Sequence, residues 1–344
     1  MKKIIILMSL CFLSCKTGEL KNGKQPEENI PQRPFVVGYL PSWKMSYTPQ
    51  WDKITHLCIA FGIVQPDGSV DITNVSPHKN IIKTAQDNQV KVLLSIGGGG
   101  SNNFSTALLN AAGRATLVAR LAQLVTEWNL DGIDFDYEEW DGGPNGASAT
   151  DLRRREALEE TYKQLRETIG DDKLLTAAVT ASWDDGQWGY YNCFNNTMHQ
   201  YLDFVSLMTY DETGPWVSSK VGQHAGWDFY EHAINHWLDN RKLPKEKLVA
   251  GVPFYGYRFQ SPDSAEGAEG VGYRDILAQY PNMDAHLKDN IGLLYYNGME
   301  TIRRKAKYCI DNELGGIMIW ELAQDANDTN RSLLQVIAEE FERQ

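Results

Sequence analysis

The sequence lacks three features that mark other classes of protein. It has no cluster of lysine and arginine dense enough to neutralise a run of phosphates, and its formal net charge is -12, which excludes nucleic acid as a partner. The apolar run Ile4 to Leu13 is too short to span a membrane. No cysteines stand at the spacing of a metal site, so we expect neither a metal ion nor a cofactor.

The N-terminal residues predict an export signal. Two lysines precede the apolar run, and a small serine precedes Cys15, which stands where a bacterial lipoprotein signal is cut. We therefore predict that residues 1–15 are a signal peptide and that Cys15 carries a lipid. Residues 16–34 are polar and contain three prolines, which predicts a flexible tether. The protein is then exported and held at a membrane only by its lipid. The alternative is an ordinary secretory signal and a periplasmic or secreted protein.

The rest of the chain, residues 35–344, has the composition of one soluble domain, which we expect to be monomeric. Aromatic residues are plentiful, with Trp 10 and Tyr 16. The remaining cysteines are odd in number and widely spaced, which predicts buried free thiols at Cys58, Cys193 and Cys309.

Short β-rich runs alternate with helical patterns from Phe35 onward. Eight runs are predicted as strands, over residues 35–40, 54–61, 90–96, 130–138, 174–180, 203–210, 248–254 and 316–320. Helical periodicity is clearest over Thr106 to Trp128 and Asp151 to Ile169. This alternation predicts a (β/α)8 TIM barrel whose active site lies at the C-terminal ends of the strands. A doubly wound open sheet is the alternative, although Gly97 to Gly100 lacks the G-x-G-x-x-G spacing of a phosphate loop.

Four carboxylates crowd into eight residues of the fourth predicted strand, at Asp131, Asp134, Asp136 and Glu138. Because side chains alternate along a strand, the last three share one face, successive members roughly 6.5 to 7 Å apart. Burying like charges together separates their pKa values and can keep one carboxylic acid protonated near neutral pH. The row therefore predicts general acid catalysis. A solvated acidic edge strand and a calcium site are the alternatives, but calcium loops of the EF-hand type carry their acids on turn residues.

Five motifs in chain order resemble glycoside hydrolase family 18, the chitinases and endo-β-N-acetylglucosaminidases. They are the intact D-x-x-D-x-D-x-E row, Ser95-Ile-Gly-Gly98, Met208-Thr-Tyr-Asp211, Gly251-Val-Pro-Phe-Tyr-Gly256 and Gly315-Gly-Ile-Met-Ile-Trp320. The resemblance covers almost the whole mature chain.

This resemblance implies a retaining hydrolase with one acid, Glu138, and no protein nucleophile. Glu138 would protonate the glycosidic oxygen while the 2-acetamido carbonyl of the sugar in the -1 subsite attacks the anomeric carbon. Asp136 would hold the acetamido group, Tyr210 would donate its hydroxyl to the acetamido carbonyl, and Asp134 would share a proton with Asp136. Asp131 would serve the turn that leads into the strand.

The resemblance also implies a sugar-binding set. Trp320 is expected as the floor of the -1 subsite, and Asp211 as a ligand of a sugar hydroxyl or a neighbour of the acetamido site. The expected wall residues of the same pocket are Tyr39, Phe61, Met208 and Tyr255. Tryptophans in loops after strands are candidate sugar platforms or barrel caps, namely Trp43, Trp140, Trp183, Trp188 and Trp216. Non-proline cis peptides are expected at Ala60-Phe61 and Trp320-Glu321.

Two departures bear on the substrate. Glu138 is followed by Glu139 and Trp140, where many chitinases have Tyr-Pro. The insertion between the seventh and eighth strands, about residues 260–295, is shorter than the domain that walls the groove in many chitinases, which predicts an open cleft and endo-type cleavage. We predict hydrolysis of β-1,4 N-acetylglucosamine linkages, with chitin oligomers first.

Three alternatives remain open at this point. An endo-β-N-acetylglucosaminidase acting on N-glycan cores shares the same acid and the same acetamido requirement. Peptidoglycan fragments are a further substrate class. A non-catalytic sugar-binding protein is the alternative of another class, although such barrels typically lack the glutamate or its aspartate partner, and both are present here.

Overall fold

The computed structural model describes residues 34–141, 147–181, 193–217 and 220–343. The predicted signal peptide, its Cys15, the tether up to residue 33, and the candidate platforms Trp183 and Trp188 lie outside the described residues. In the described part of the chain, no helix combines the length and apolar character needed to cross a membrane. Residues 34–344 form one unit.

Eight parallel strands close into a barrel. The described strands, in chain order, are β1 (Phe35–Pro41), β2 (His56–Val64), β3 (Val70–Asp71), β4 (Lys91–Gly97), β5 (Gly132–Asp136), β6 (Leu174–Thr180), β7 (Phe204–Met208), β8 (Leu248–Pro253), β9 (Tyr255–Arg258), β10 (Glu269–Gly272), β11 (Asn290–Ile291), β12 (Leu294–Tyr295) and β13 (Gly316–Trp320). The barrel runs β1-β13-β8-β7-β6-β5-β4-β2 and is closed by pairing of β2 with β1. All eight predicted strands are present, and the closed ring rules out the open doubly wound sheet.

Helices surround this barrel. They are α1 (Asn80–Asp87), α2 (Phe104–Leu109), α3 (Ala111–Glu127), α4 (Ala149–Ile169), α5 (Trp227–Asn235, continued by a π-helical turn over His236–Asn240), α6 (Tyr273–Gln279), α7 (Met299–Asp311) and α8 (Leu333–Glu342). The single helix predicted over Thr106 to Trp128 is wrong, since α2 and α3 meet at Asn110. The Asn110 side chain accepts from the N–H groups of Ala112 and Gly113 at 2.9 and 3.4 Å and so begins a new helix.

The insertion after the seventh barrel strand forms a second, antiparallel sheet in the order β10-β9-β12-β11. It begins at Tyr255, two residues after β8 ends, and therefore earlier than predicted. Strands of two to four residues carry too short a pattern for sequence periodicity to detect. The segment is short, as expected, but it is not a bare loop.

The two faces of β5 have the predicted contrast. Ile133 and Phe135 are buried in the apolar core, where the Phe135 ring packs edge-on against Tyr162 of α4 at 5.0 Å between centroids. Asp134 and Asp136 point the other way, into the barrel, and are 0% and 4% exposed. The cysteines predicted as buried free thiols are confirmed as such.

Candidate active site

Asp134 is fully bonded inside the barrel. Its Oδ1 accepts from Thr176 Oγ1 at 2.6 Å, and its Oδ2 accepts from the hydroxyls of Tyr39 and Ser95, each at 2.7 Å. Ser95 and Thr176 flank Asp134 because they are its register partners on β4 and β6. Burial raises the pKa of Asp134, and the three hydroxyl donors oppose that rise.

Asp136, one step nearer the C-terminal end of β5, has a different environment. Its register partners are Gly97 and Ala178, which offer no side-chain donor, and its buried Oδ1 has no hydrogen-bond partner among the described residues. Burial first, and then the carboxyls of Glu138 and Asp134, raise the pKa of Asp136 well above its usual range. No hydrogen bond within the described residues joins Asp136 to Asp134, and the sharing of a proton between them stays a prediction.

Glu138 lies beyond the end of β5, in a cavity of about 390 Å³. Its pKa is raised to about 7, first because surrounding protein displaces water and second because Asp211 is negatively charged, while the N–H of Gly99 lowers it. The side chain stays exposed to solvent in the cavity. Solvent screening weakens the shift, but its upward direction leaves a protonated acid available where a substrate can reach it.

The cavity brings together residues from the ends of several barrel strands. Of the predicted site residues it contains Glu138, Met208, Tyr210, Asp211 and Trp216, and its other lining residues are Gly99, Trp140, Thr180, Ala181 and Phe229. Two polar lining atoms, Trp140 Nε1 and Thr180 Oγ1, are buried without a hydrogen-bond partner. Such orphaned donors and acceptors are costly unless a ligand satisfies them.

Tyr210 presents its hydroxyl near the acidic row. Its hydroxyl donates only a weak hydrogen bond, to Met318 Sδ at 3.6 Å. Burial, followed by the charges of Asp136 and Asp211, raises the pKa of Tyr210 well above its usual range, so it remains a proton donor. A Cβ at Gly251 would lie 2.5 Å from the carbonyl oxygen of Leu207 and 3.0 Å from Tyr210 Cε1. The backbone contact, together with the nearby Tyr210 ring, accounts for the glycine that opens the motif on β8.

Asp211 occupies a left-handed backbone position, with φ 65, just after β7. Its Oδ1 contacts the hydroxyls of Tyr255 and Tyr257 and the Nδ1 of His224, the last two each at 3.2 Å. Its Oδ2 makes no hydrogen bond to a described residue, and the side chain is 36% exposed. Sequence reasoning missed His224 and Tyr257, because they reach Asp211 from segments with no motif of their own.

The predicted aromatic residues differ in exposure. Trp216 is 52% exposed and packs edge-on against Tyr257 at 5.5 Å between centroids, whereas Trp140 is 9% exposed. Trp320 is partly exposed and stacks on Phe61 at 5.7 Å, so its role as a sugar floor stays a prediction. Tyr39, predicted as a wall residue, is 1% exposed and supports Asp134 instead.

The remaining geometric predictions concern peptide bonds and the far end of β5. The peptide bonds Ala60-Phe61 and Trp320-Glu321 are cis, as expected. Asp131 lies at the opposite end of β5 from the cavity, where its Oδ2 accepts from the N–H of Val92 at 2.9 Å. Within the described ranges, no group of three or more histidine, cysteine or acidic side chains is placed to hold a metal ion.

Comparison with known proteins identifies the family. The profile of "Glycosyl hydrolases family 18" matches residues 35–325. The chain belongs to this family. A chitinase structure from Bacteroides thetaiotaomicron is 29% identical with a TM-score of 0.78, and the match covers 90% of this chain and 97% of that one. A family 18 chitinase structure from Flavobacterium johnsoniae is 30% identical with a TM-score of 0.74, covering 90% and 94%.

Among curated relatives, Probable chitinase 10 of Drosophila melanogaster is 27% identical over 84% of this chain. The chain spans only 15% of the length of that protein. A chitinase-like agglutinin from Robinia pseudoacacia also has this barrel, with 21% identity and a TM-score of 0.71, a likeness of fold alone. Barrels of this fold therefore occur under both chitinase and agglutinin names.

Proposed function

We propose that this protein is a retaining, substrate-assisted glycoside hydrolase that cleaves β-1,4 linkages between N-acetylglucosamine units. One observation carries the proposal. Glu138 is the member of the acidic row that is open to the cavity, and its raised pKa favours the protonated form that a general acid needs. Two further observations support it: the carboxyl of Glu138 acts electrostatically on Asp136, and Tyr210 lines the same cavity as Glu138.

In the proposed reaction, Glu138 donates its proton to the glycosidic oxygen as the bond to the anomeric carbon breaks. The substrate's own acetamido oxygen attacks that carbon and forms an oxazolinium ion. The unpartnered Oδ1 of Asp136 can accept the acetamido N–H and face the developing positive charge, while the Tyr210 hydroxyl donates to the acetamido oxygen. Glu138 then acts as base for the water that opens the ring, which restores the β-anomer.

Chitin oligomers are the substrate class we propose. The two family 18 structures that are 29% and 30% identical to this chain both carry the name chitinase, which favours chitin over an N-glycan core. The charged residues among the described lining of the cavity, Glu138 and Asp211, are both acidic. An acidic lining disfavours sugars that bear a carboxylate, such as those of peptidoglycan, and accepts neutral amide sugars.

We further propose endo-type cleavage from an open cleft. The exposed Trp216 offers a stacking face beside the acid, and the small sheet after β8 provides little material for a high wall. An open cleft releases the polymer after each cut, so soluble oligomers should be preferred to crystalline chitin. A persistent excess of even-numbered products early in hydrolysis of a soluble, partly deacetylated chitin would contradict this.

The deciding experiment assays labelled chitooligosaccharides beside a high-mannose glycopeptide. We expect internal cleavage of the chitin oligomers, the β-anomer first by NMR, inhibition by a thiazoline analogue, and no turnover of oligomers without the N-acetyl group. Faster cleavage of the glycopeptide would overturn the substrate class in favour of an endo-β-N-acetylglucosaminidase. Binding without cleavage of either would overturn the enzyme in favour of a sugar-binding protein.

For location, we propose that the chain is exported and anchored through lipid on Cys15. The support is the signal pattern at residues 1–15 alone. Cys15→Ala should move the protein from the membrane fraction to the soluble fraction. A processed wild-type protein that is already soluble, with an unmodified N-terminus, would indicate an ordinary secretory signal.

A further inference from the structure

Glu139, the residue after the acid, is engaged by the loop that follows β4. Its Oε1 accepts from Ser101 Oγ at 2.9 Å and from the N–H of Phe104 at 2.8 Å, and its Oε2 accepts from the N–H of Ser105 at 2.7 Å. Burial alone would raise the pKa of Glu139, but these donors bring it below its usual range. The carboxylate thus fixes the start of α2.

The same loop passes directly beside Glu138. Its near end is fixed by a hydrogen bond from the N–H of Gly98 to the Asp136 carbonyl at 2.8 Å. Gly97, Gly98 and Gly100 have φ values of 105, 85 and 88, which only glycine adopts easily. Between them, Gly99 lies so close to the acid that a Cβ there would be 3.6 and 3.7 Å from the two carboxyl oxygens of Glu138.

We propose that Glu139 is a positioning residue that anchors the far end of this loop, residues 98–105, and so keeps the backbone of Gly99 beside the carboxyl of Glu138. A loop with this many glycines has little preference of its own for one conformation. Two fixed ends are therefore needed to hold its centre. The proposal rests on the proposed function, since it takes Glu138 as the acid.

The Gly99 N–H and the Asp211 carboxylate have opposite effects on the pKa of Glu138. Asp136 on β5 and Asp211 after β7 are acidic, Tyr210 is a neutral phenol, and Asp134 lies one step deeper. The negative charge of Asp211 raises the pKa of Glu138 and favours the protonated acid, whereas the Gly99 N–H lowers that pKa and favours the ionised form. Releasing the loop should therefore raise the pKa of Glu138 further and displace the acid from its working position.

The test compares Glu139→Ala, Glu139→Gln and Ser101→Ala by kcat and KM across pH on a chitin tetramer. For Glu139→Ala we expect the alkaline limb of kcat to move up by roughly half a pH unit or more and the plateau of kcat to fall about tenfold, with little change in KM. Glu139→Gln keeps one acceptor oxygen and should restore part of both effects. Ser101→Ala should give the smallest shift.

Asp131→Asn is the matched control. Like Glu139, Asp131 accepts a hydrogen bond from a backbone N–H, that of Val92, but it lies at the opposite end of β5. This variant should lower thermal stability without moving the alkaline limb. If the alkaline limb of kcat for Glu139→Ala coincides with that of wild type, Glu139 is only a helix cap and the proposal is overturned. If Glu139→Ala does not fold, the same comparison is made with Glu139→Gln. If the wild type cleaves nothing, the proposed function fails, and NMR titration of the Glu138 carboxyl in the same variants still decides the positioning role.

Discussion

Two aspartates on the inner face of β5, Asp134 and Asp136, lie at neighbouring levels of the barrel and have opposite hydrogen-bonding environments. At the Asp134 level, hydroxyl groups from β1, β4 and β6 bond both carboxyl oxygens. At the Asp136 level, one step along the same face, a buried carboxyl oxygen has no partner. The first level is complete without a ligand, whereas the second is complete only with one. Under the proposed function, the Asp134 level supports the site and the Asp136 level would contact the substrate.

The register of the barrel causes this difference. Ser95 and Thr176 stand beside Asp134, and moving up two residues on each strand places Gly97 and Ala178 beside Asp136. Because these two residues have no hydroxyl, they leave space beside Asp136 and leave its carboxyl oxygen without a donor. The same substitution made at the two levels should therefore have different effects.

The largest effect should come from the acid itself. Glu138→Gln keeps the size and polarity of the side chain but removes the transferable proton. We expect kcat to fall at least about a hundredfold, as general acid catalysis supplies roughly 10² to 10⁴, while the Kd for an oligosaccharide changes little. Calorimetric titration beside steady-state kinetics checks both halves. Near wild-type turnover would remove Glu138 from its role.

Truncation at the two levels should affect stability differently. Asp134→Ala strands three buried hydroxyls and should lower the free energy of unfolding by about 3 kcal/mol. Asp136→Ala strands none of the described hydroxyls and should cost less than about 1 kcal/mol at neutral pH, while it still lowers kcat. Urea unfolding of both variants measures the contrast. Equal losses would mean that the two levels are not distinct.

The stability difference should also depend on pH, with a sign fixed by the raised pKa of Asp136. The unfolded chain releases this proton in the usual aspartate range, but the folded chain holds it to higher pH. As pH rises from the usual aspartate pKa to the raised pKa of the folded protein, the free energy of unfolding of wild type should fall relative to that of Asp136→Asn. At acidic pH the difference between the two proteins should disappear. Divergence toward acidic pH would contradict the assignment.

Two tyrosines provide a matched pair, one for each level. Tyr210→Phe should lower kcat about tenfold with little change in stability, because Met318 Sδ is the only hydrogen-bond partner of its hydroxyl among the described residues. Tyr39→Phe should lower stability by about 1 kcal/mol and kcat less, because its hydroxyl bonds Asp134. The ratio of the two kcat losses is the measurement. A larger loss for Tyr39→Phe would reverse the comparison.

The smallest effect concerns the pH profile. Activity should fall as pH rises through about 7, where Glu138 loses its proton. Removing the negative charge in Asp211→Asn should move that alkaline limb to lower pH, since the Asp211 charge raises the pKa of Glu138. A shift to higher pH would exclude this electrostatic coupling.

Sequence reasoning succeeded where local periodicity carries the information. The alternation of Asp134, Asp136 and Glu138 with apolar residues fixed which face of β5 is polar, and the alternation of strands with helices fixed the barrel. Sequence reasoning could not predict how deep in the barrel each residue lies, because the alternation of side chains carries no information on the distance from the cavity. Tyr39 was therefore placed in the pocket wall, although it lies at the supporting level.

It also failed where segments distant in sequence converge. His224 and Tyr257 meet Asp211 only because the loop after β7 and strand β9 come together in the fold. Neither stands in a motif or at a recognisable spacing. The break between α2 and α3 was missed for another reason, since Asn110 interrupts an otherwise continuous apolar period.

The small sheet after β8 contains two kinds of segment. Tyr255 and Tyr257, at its start, contact Asp211 and so belong to the candidate site. The connections from β9 to β10 and from α6 to β11 lie farther along the chain than these contacts. We expect that lengthening those connections would leave both tyrosines on Asp211. The length of the insertion could then change during evolution while the groups that contact Asp211 stay the same.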